Sequence, residues 1–330
     1  MRIITTLFVL FMLCGCQPDS ESEPQGGESA SAQTEQQSSE TPSMSDETQA
    51  APEGDAEPAM SASDDGLTDV LASQSQDIRS RYDDRHPAET LSFFGIEPGM
   101  TVVEAVPGGG WYTKILLPYL GSDGELIAAN YPLDMWPYFS FADEDFMAEM
   151  EQWPESFPEQ AGGWCEDDCA SVSTFWFGDM PAEIEGQVDA VLFVRMLHNM
   201  ARFQNQGIDN YVDQAFADAH AALKPGGILG VVQHEAREDT PDEWANGAAG
   251  YLKKAFVIER AEAAGFELVN ESDINANPND KPTTDDVVWR LPPSLSVPED
   301  AENAESLRAQ YEAIGESNRM TLKFRKPAAD

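Results

Sequence analysis

Basic side chains are scarce in this chain. Against 60 Asp and Glu it carries only 19 Lys and Arg over 330 residues, a formal net charge of −41. A surface of that sign repels phosphate backbones, so DNA and RNA are excluded as partners. The excess of carboxylates also suits a protein that must stay hydrated in a salty medium. Cysteine and histidine number four each. Cys165 and Cys169, separated by Glu-Asp-Asp, have no further Cys or His close by in the sequence, so no metal site is expected there. A disulfide closing a small loop in an oxidising compartment is favoured, with free thiols as the other alternative. A membrane-spanning run is missing too. The apolar stretch Ile3–Leu13, preceded by Arg2, is too short to cross a bilayer but suits the core of a secretory signal.

That stretch ends in Leu13-Cys14-Gly15-Cys16, which resembles the bacterial lipobox. The resemblance implies cleavage before Cys16 and a lipid on its sulfur, giving an exported, periplasm-facing lipoprotein tethered to the membrane. An ordinary signal peptide with a chance cysteine, or an uncleaved anchor, is the alternative. Residues 17–65 contain no Lys or Arg and are rich in Ser, Glu, Gln, Pro and Ala. Without large aliphatic side chains they bury too little surface to offset the entropy of ordering, and they read as an acidic leash. The domain proper is expected over 66–330.

There, strand and helix signals alternate. Thr101–Val106, Glu125–Asn130, Ser171–Phe177, Val188–Val194, Ile228–Gln233, Phe266–Asn270 and Arg319–Phe324 read as strands. Helices are expected over Leu67–Arg81, Pro87–Phe94, Trp111–Leu120, around Phe141–Trp153, and over Asp209–Leu223, Tyr251–Ala264 and Ala301–Ile314. This alternation predicts one α/β domain, a mostly parallel seven-stranded sheet with helices on both faces. Ligands of such sheets bind beyond the carboxyl ends of the strands, so the turn after the first strand is the first place to look. Gly108, Gly109 and Gly110 let a ligand lie against the backbone there, with the following helix aiming N–H groups at it. The dinucleotide pattern G-x-G-x-x-G fails, because Thr113 stands at its last position, and a dinucleotide oxidoreductase is disfavoured.

Glu104-Ala105-Val106-Pro107-Gly108-Gly109-Gly110 is similar to the acidic-x-Gly-x-Gly-x-Gly motif of class I S-adenosylmethionine (SAM) methyltransferases, with Val106 in place of the first glycine. Lys224-Pro225-Gly226-Gly227-Ile228-Leu229 resembles the turn before their fifth strand. His86-Pro87-Ala88-Glu89-Thr90 and Pro107-Gly108-Gly109-Gly110-Trp111-Tyr112-Thr113 resemble blocks of an exported subset of the family. The resemblance implies a Rossmann-like methyltransferase fold over 66–330, with SAM as cofactor and a small-molecule acceptor. It assigns the cofactor to Glu104, Gly108, Gly109, Gly110, Asn130, Tyr131 and Asp179. Asn130 stands where most relatives carry Asp or Glu for the ribose, which removes a charge-assisted contact.

Each position has a plainer reading beside this one. Glu104 contacts the amino end of SAM or bonds the glycine-loop N–H groups; Tyr131 stacks on adenine or packs; Asp179 holds the adenine amino group or caps the segment at Pro181. Leu197-His198-Asn199-Met200 resembles the segment that lines the methyl-transfer site. His198, and His234 on the same carboxyl edge, are the candidates for catalysis, as general base to an acceptor hydroxyl, against structural polar packing. Arg85-His86 covers the pocket or packs at the surface. Trp111 and Tyr112 wall the pocket or fill core. Trp136, Tyr138, Phe139, Phe141, Trp153 and Trp164 form a lid over an apolar substrate or a satellite core. Two functions compete: methyl transfer to a small acceptor, and a catalytically degenerate ligand-binding lipoprotein of the cell envelope. SAM is made in the cytoplasm, and an exported lipoprotein has no obvious supply of it.

Overall fold

The computed structural model describes residues 62–298 and 301–328, with side chains from Gly66 onward. The lipobox and almost all of the leash lie outside the described residues. Helices α1 (Ala62–Ser73), α2 (Gln76–Arg79), α3 (Tyr82–Arg85) and α4 (Pro87–Phe94) lead into β1 (Thr101–Ala105). The rest runs α5 (Thr113–Leu120), β2 (Glu125–Asn130), α6 (Glu144–Gly162), β3 (Ser171–Trp176), β4 (Val188–Val194), α7 (Leu197–Asn205), α8 (Tyr211–Ala222) and β5 (Leu223–Ala236). It closes with β6 (Leu252–Lys253), α9 (Lys254–Ala263), β7 (Glu267–Ser272), α10 (Ala304–Ile314) and β8 (Arg319–Arg325). Among the described residues no helix is long and apolar enough to cross a membrane.

The sheet has the order β3-β2-β1-β4-β5-β8-β7. Strands β1 to β5 pair in parallel, and β8 runs antiparallel between β5 and β7. The expected seven strands form this path, and an eighth, the two-residue β6, pairs with the end of β5. It was hidden in sequence because Leu252 and Lys253 run straight into α9 and look like its first turn. The expected helix over Leu67–Arg81 is two helices, and the one expected from Trp111 starts at Thr113 because Trp111 and Tyr112 still belong to the loop. Helix α6 extends through Pro154 and Pro158 to Gly162. Helix α7 was not expected at all.

Alternation of side chains shows why the sheet is covered twice. Val102 of β1 and Ala190 and Leu192 of β4 pack with α1, α4, α5 and α6. Val103 and Ala105, with Val191 and Phe193, pack with α7, α8 and α9. Period-two strands that are apolar at nearly every position therefore bury both faces. Each such side chain contributes roughly 1.5–3 kcal/mol by leaving water. Gly230 in β5 is required by this packing, since a Cβ there would lie 2.7 Å from the ring of Phe94.

The expected turn Lys224–Gly227 lies inside β5 as an excursion opposite β4: Val188 pairs with Leu223, and Ala190 with Ile228. Asp189 holds it, accepting from Lys224 Nζ at 2.6 Å and from the Thr101 N–H at 2.9 Å. This ties β1, β4 and β5 together at their amino ends and leaves the opposite edge for chemistry.

Candidate active site

The strand order reverses between β1 and β4, so their carboxyl ends border the crevice where open α/β sheets bind ligands. Both strands end in a non-glycine residue in the left-handed region, Val106 at φ 52° and Arg195 at φ 57°. For a β-branched residue such as Val106 this conformation is costly. The peptide is held nonetheless, Val106 N–H donating to Ala129 O at 2.6 Å and Arg195 N–H to Val232 O at 2.7 Å. The turns at the switch point are thus fixed by neighbouring strands.

In the glycine loop, Gly108 and Gly109 are exposed, and among the described residues a Cβ on either would meet nothing within 4 Å. Gly110 differs. It is buried, and a Cβ there would lie 2.2 Å from the Trp164 indole. Lys114 sits 4.5 Å over the Trp164 ring and donates to Gly109 O at 3.0 Å. The expected three-glycine cradle is therefore open at two positions, and the third admits a tryptophan. Trp164 immediately precedes the small loop that the Cys165–Cys169 disulfide closes, which realises the favoured reading of that pair.

Glu104 is 5% exposed at the end of β1. Its carboxylate accepts from the Thr113 hydroxyl at 2.6 Å, at the start of α5, and not from the glycine turn itself. Burial, opposed by the hydrogen bonds from Thr113, raises its pKa to about 7. Asn130, buried at the end of β2, turns its Oδ1 back to accept from the Tyr131 N–H at 2.9 Å. Tyr131 is buried, donates to Met196 O at 2.9 Å, accepts from Asn199 at 3.1 Å, and packs beside Trp136 and Phe139. Asp179 is exposed, and no side-chain cap is made at Pro181; the turn is instead held by Asp218, which accepts from Gly178 N–H at 2.6 Å. The aromatic insertion divides. Trp136, Phe139, Phe141 and Phe146 pack on the α7–α8 face, while Trp153 and Trp164 join the α5–α6 face.

His198 and His234 do come together, their rings 5.3 Å apart at the ends of β4 and β5. Both are buried. Gln233 Nε2, which donates to Gly250 O at 3.2 Å, lies 3.4 Å from His198 Nδ1. With Nδ1 as the acceptor, the proton of the neutral ring sits on Nε2. Burial lowers His198 to about 4 and pushes His234 well below the usual imidazole range; the latter also feels His198 and the arginines. Both rings are neutral near pH 7. His234 Nδ1 is 2.5 Å from Ser317 Oγ.

What the sequence reading missed is the group around them. Because β8 is antiparallel to β5, its first residue Arg319 pairs with His234, and Glu316 and Ser317 arrive at the carboxyl edge. Arg85, 5% exposed, reaches the same point from α3 and lies 4.6 Å over Trp111. Glu316 receives Arg85 Nε at 2.9 and 3.1 Å, Arg85 Nη2 at 2.9 Å and Arg319 Nη1 at 3.1 Å. Arg81 and Arg195 stand at 3.4 and 3.7 Å. A signal existed: arginine is rare in this chain, and any that folding buries stands out.

No protein-family model matches the chain, and no curated protein matches it. Solved structures similar to it include a 4+2 cyclase, SpnF, at 17% identity over 74% of this chain and 81% of that one, TM-score 0.44. Geranyl diphosphate C-methyltransferase from Streptomyces coelicolor A3(2) is 14% identical over 82% of this chain and 86% of its own, TM-score 0.42. A SAM-dependent methyltransferase from Aquifex aeolicus is 14% identical over 63% and 93%, TM-score 0.38.

Proposed function

We propose that this chain transfers a methyl group from SAM to a small-molecule acceptor, and that a lipid on Cys16 tethers it to a membrane, facing the periplasm. One observation carries the first part: at the switch point between β1 and β4, Gly108 and Gly109 leave open space where side chains would stand. Their backbone and Glu104 would hold the cofactor's amino-acid end, and Asn130 the ribose side. The bound sulfonium supplies a methyl group that is already activated. The protein's part is alignment. His198 offers Nε2–H to orient an acceptor, and His234, neutral beside Ser317, is the remaining candidate base.

Calorimetric titration of the full chain with SAM tests this. Micromolar binding is expected, and Gly109→Trp, at a position with open space and no left-handed backbone, should abolish it while leaving the thermal transition in place. No heat at millimolar SAM would end the proposal. That result would favour the second reading, a degenerate envelope lipoprotein that binds another ligand. The engaged Oδ1 of Asn130 and the enclosed ring of Tyr131 support that alternative. The tether has its own test. Cys16→Ser should move the protein from the membrane to the soluble fraction, and retention at the membrane would refute lipidation at that residue.

A further inference from the structure

The carboxyl edge of the sheet carries an imbalance of charge that the fold does not use. Arg81, Arg85, Arg195 and Arg319 converge on a single carboxylate, Glu316, in a protein with three acidic side chains for each basic one. A carboxylate accepts about four hydrogen bonds. Arg85 makes three close contacts with Glu316, and Arg319 makes a fourth at 3.1 Å. The capacity of Glu316 is then filled. Arg319 is satisfied further by the Asp84 and Ser317 carbonyls at 2.5 and 3.2 Å.

Arg81 and Arg195 are left over. Each lies beyond good hydrogen-bond length from Glu316, and they remain 22% and 24% exposed, whereas Arg85 and Arg319 are 6% and 3% exposed. Among the described residues the buried Nε of Arg195 has no hydrogen-bond partner. Burial, and then the neighbouring Arg85, pull the Arg195 guanidinium down to about 9, and Glu316 opposes them only in part. Asp84, the other acid in the group, is committed to the Glu316 N–H through Oδ1. An acidic protein had carboxylates to spare for these two arginines, yet among the described residues it gives them only the longer contacts of a Glu316 already filled by Arg85 and Arg319.

We infer that Arg81 and Arg195 bind an oxyanion, a carboxylate or phosphate carried by the small-molecule ligand of this site. On the methyl-transfer reading, from which this inference takes its setting, that ligand is the acceptor. Guanidinium groups match such anions with paired N–H donors, and partial desolvation strengthens the contact. His198 and His234 lie beside the group: His234 pairs with Arg319 across β5 and β8 and meets Ser317 Oγ, next to Glu316, and the His198 ring is 5.3 Å from that of His234. An acceptor anchored here by its anionic end would present its other end to the two neutral imidazoles.

The experiment is calorimetric titration of the full-length protein with inorganic phosphate and, separately, acetate, at constant ionic strength, with and without saturating SAM. At least one of the two anions is expected to bind. Arg81→Gln and Arg195→Gln should each weaken it by about tenfold or more, as loss of a charge-assisted contact worth at least about 1.4 kcal/mol implies. Arg195→Lys should restore part of the loss. Thermal transitions near that of the parent show that the Glu316–Arg85–Arg319 core has survived, and SAM binding should be unchanged. No binding of either anion, or equal binding by the Gln variants, would overturn the site. Competition between SAM and the anion would overturn the acceptor assignment, because the arginines would then hold the cofactor's own carboxylate. Anion binding without SAM binding would support the site while sinking methyl transfer.

Discussion

Glu316→Gln is expected to destabilise the protein by about 3–5 kcal/mol, the usual cost of leaving buried charge without its partner. Arg85 and Arg319 are almost fully enclosed and would lose the carboxylate that receives both of them. The amide still accepts a hydrogen bond, so the loss reports charge more than shape. The effect should depend on pH. Burial opposes ionisation of Glu316, but Arg85, Arg195 and Arg319 together outweigh it and hold the pKa below the ordinary 4.5. A depressed carboxylate contributes its full stabilisation above the unfolded value and loses it as pH falls through the folded one. Parent and variant should therefore differ most above about pH 5 and converge in acid. Denaturant unfolding at several pH values measures this, and a variant within about 1 kcal/mol of the parent at neutral pH would contradict it.

Glu104 should behave in the opposite way. Its pKa is raised to about 7 from the ordinary 4.5, with burial the main cause. Below about pH 4.5 it is protonated in both folded and unfolded chains and its burial carries no charge penalty. Between that value and about pH 7 the unfolded chain releases a proton that the folded one retains, and stability falls as pH rises. The penalty levels off above about pH 7 at about 3 kcal/mol, since each pH unit between the unfolded and folded values costs about 1.4 kcal/mol. Glu104→Gln keeps an acceptor for the Thr113 hydroxyl and removes the ionisation. It should match the parent near pH 4 and exceed it in stability by about 3 kcal/mol near pH 8. Parallel stability curves for the two proteins would show that Glu104 is not held in the protonated form. The gain would identify a carboxyl group retained at the glycine loop at a cost in stability, as expected of a site residue.

Much of this architecture follows from local sequence. Thr101–Ala105 and Val188–Val194 are apolar at nearly every position, and only a strand covered on both faces can use such a run. Gly95 and Gly265 end helices in the left-handed conformation, so the boundaries near them were legible. The extent of α6 was not, because Pro154 and Pro158 argue against a helix that tertiary packing of Trp153 and Phe157 sustains. Helix α7 was missed because it follows β4 after a two-residue turn with no capping side chain.

The site divides along the same line. Sequence alone determined the glycine loop, the acidic residue before it and the two histidines at strand ends, because each sits at a fixed offset from a strand that its own residues specify. Only the tertiary structure decided what surrounds them. Trp164 fills the space beside Gly110 from the entrance to a disulfide-closed loop that lies beyond β2 and α6 in the chain. Glu316 and Arg319 meet Arg85 and His234 because β8 runs antiparallel to β5 and so begins at the carboxyl edge. Strand formation is a matter of neighbours in sequence; which charges share a crevice depends on strand order, and strand order is set by packing across the whole sheet.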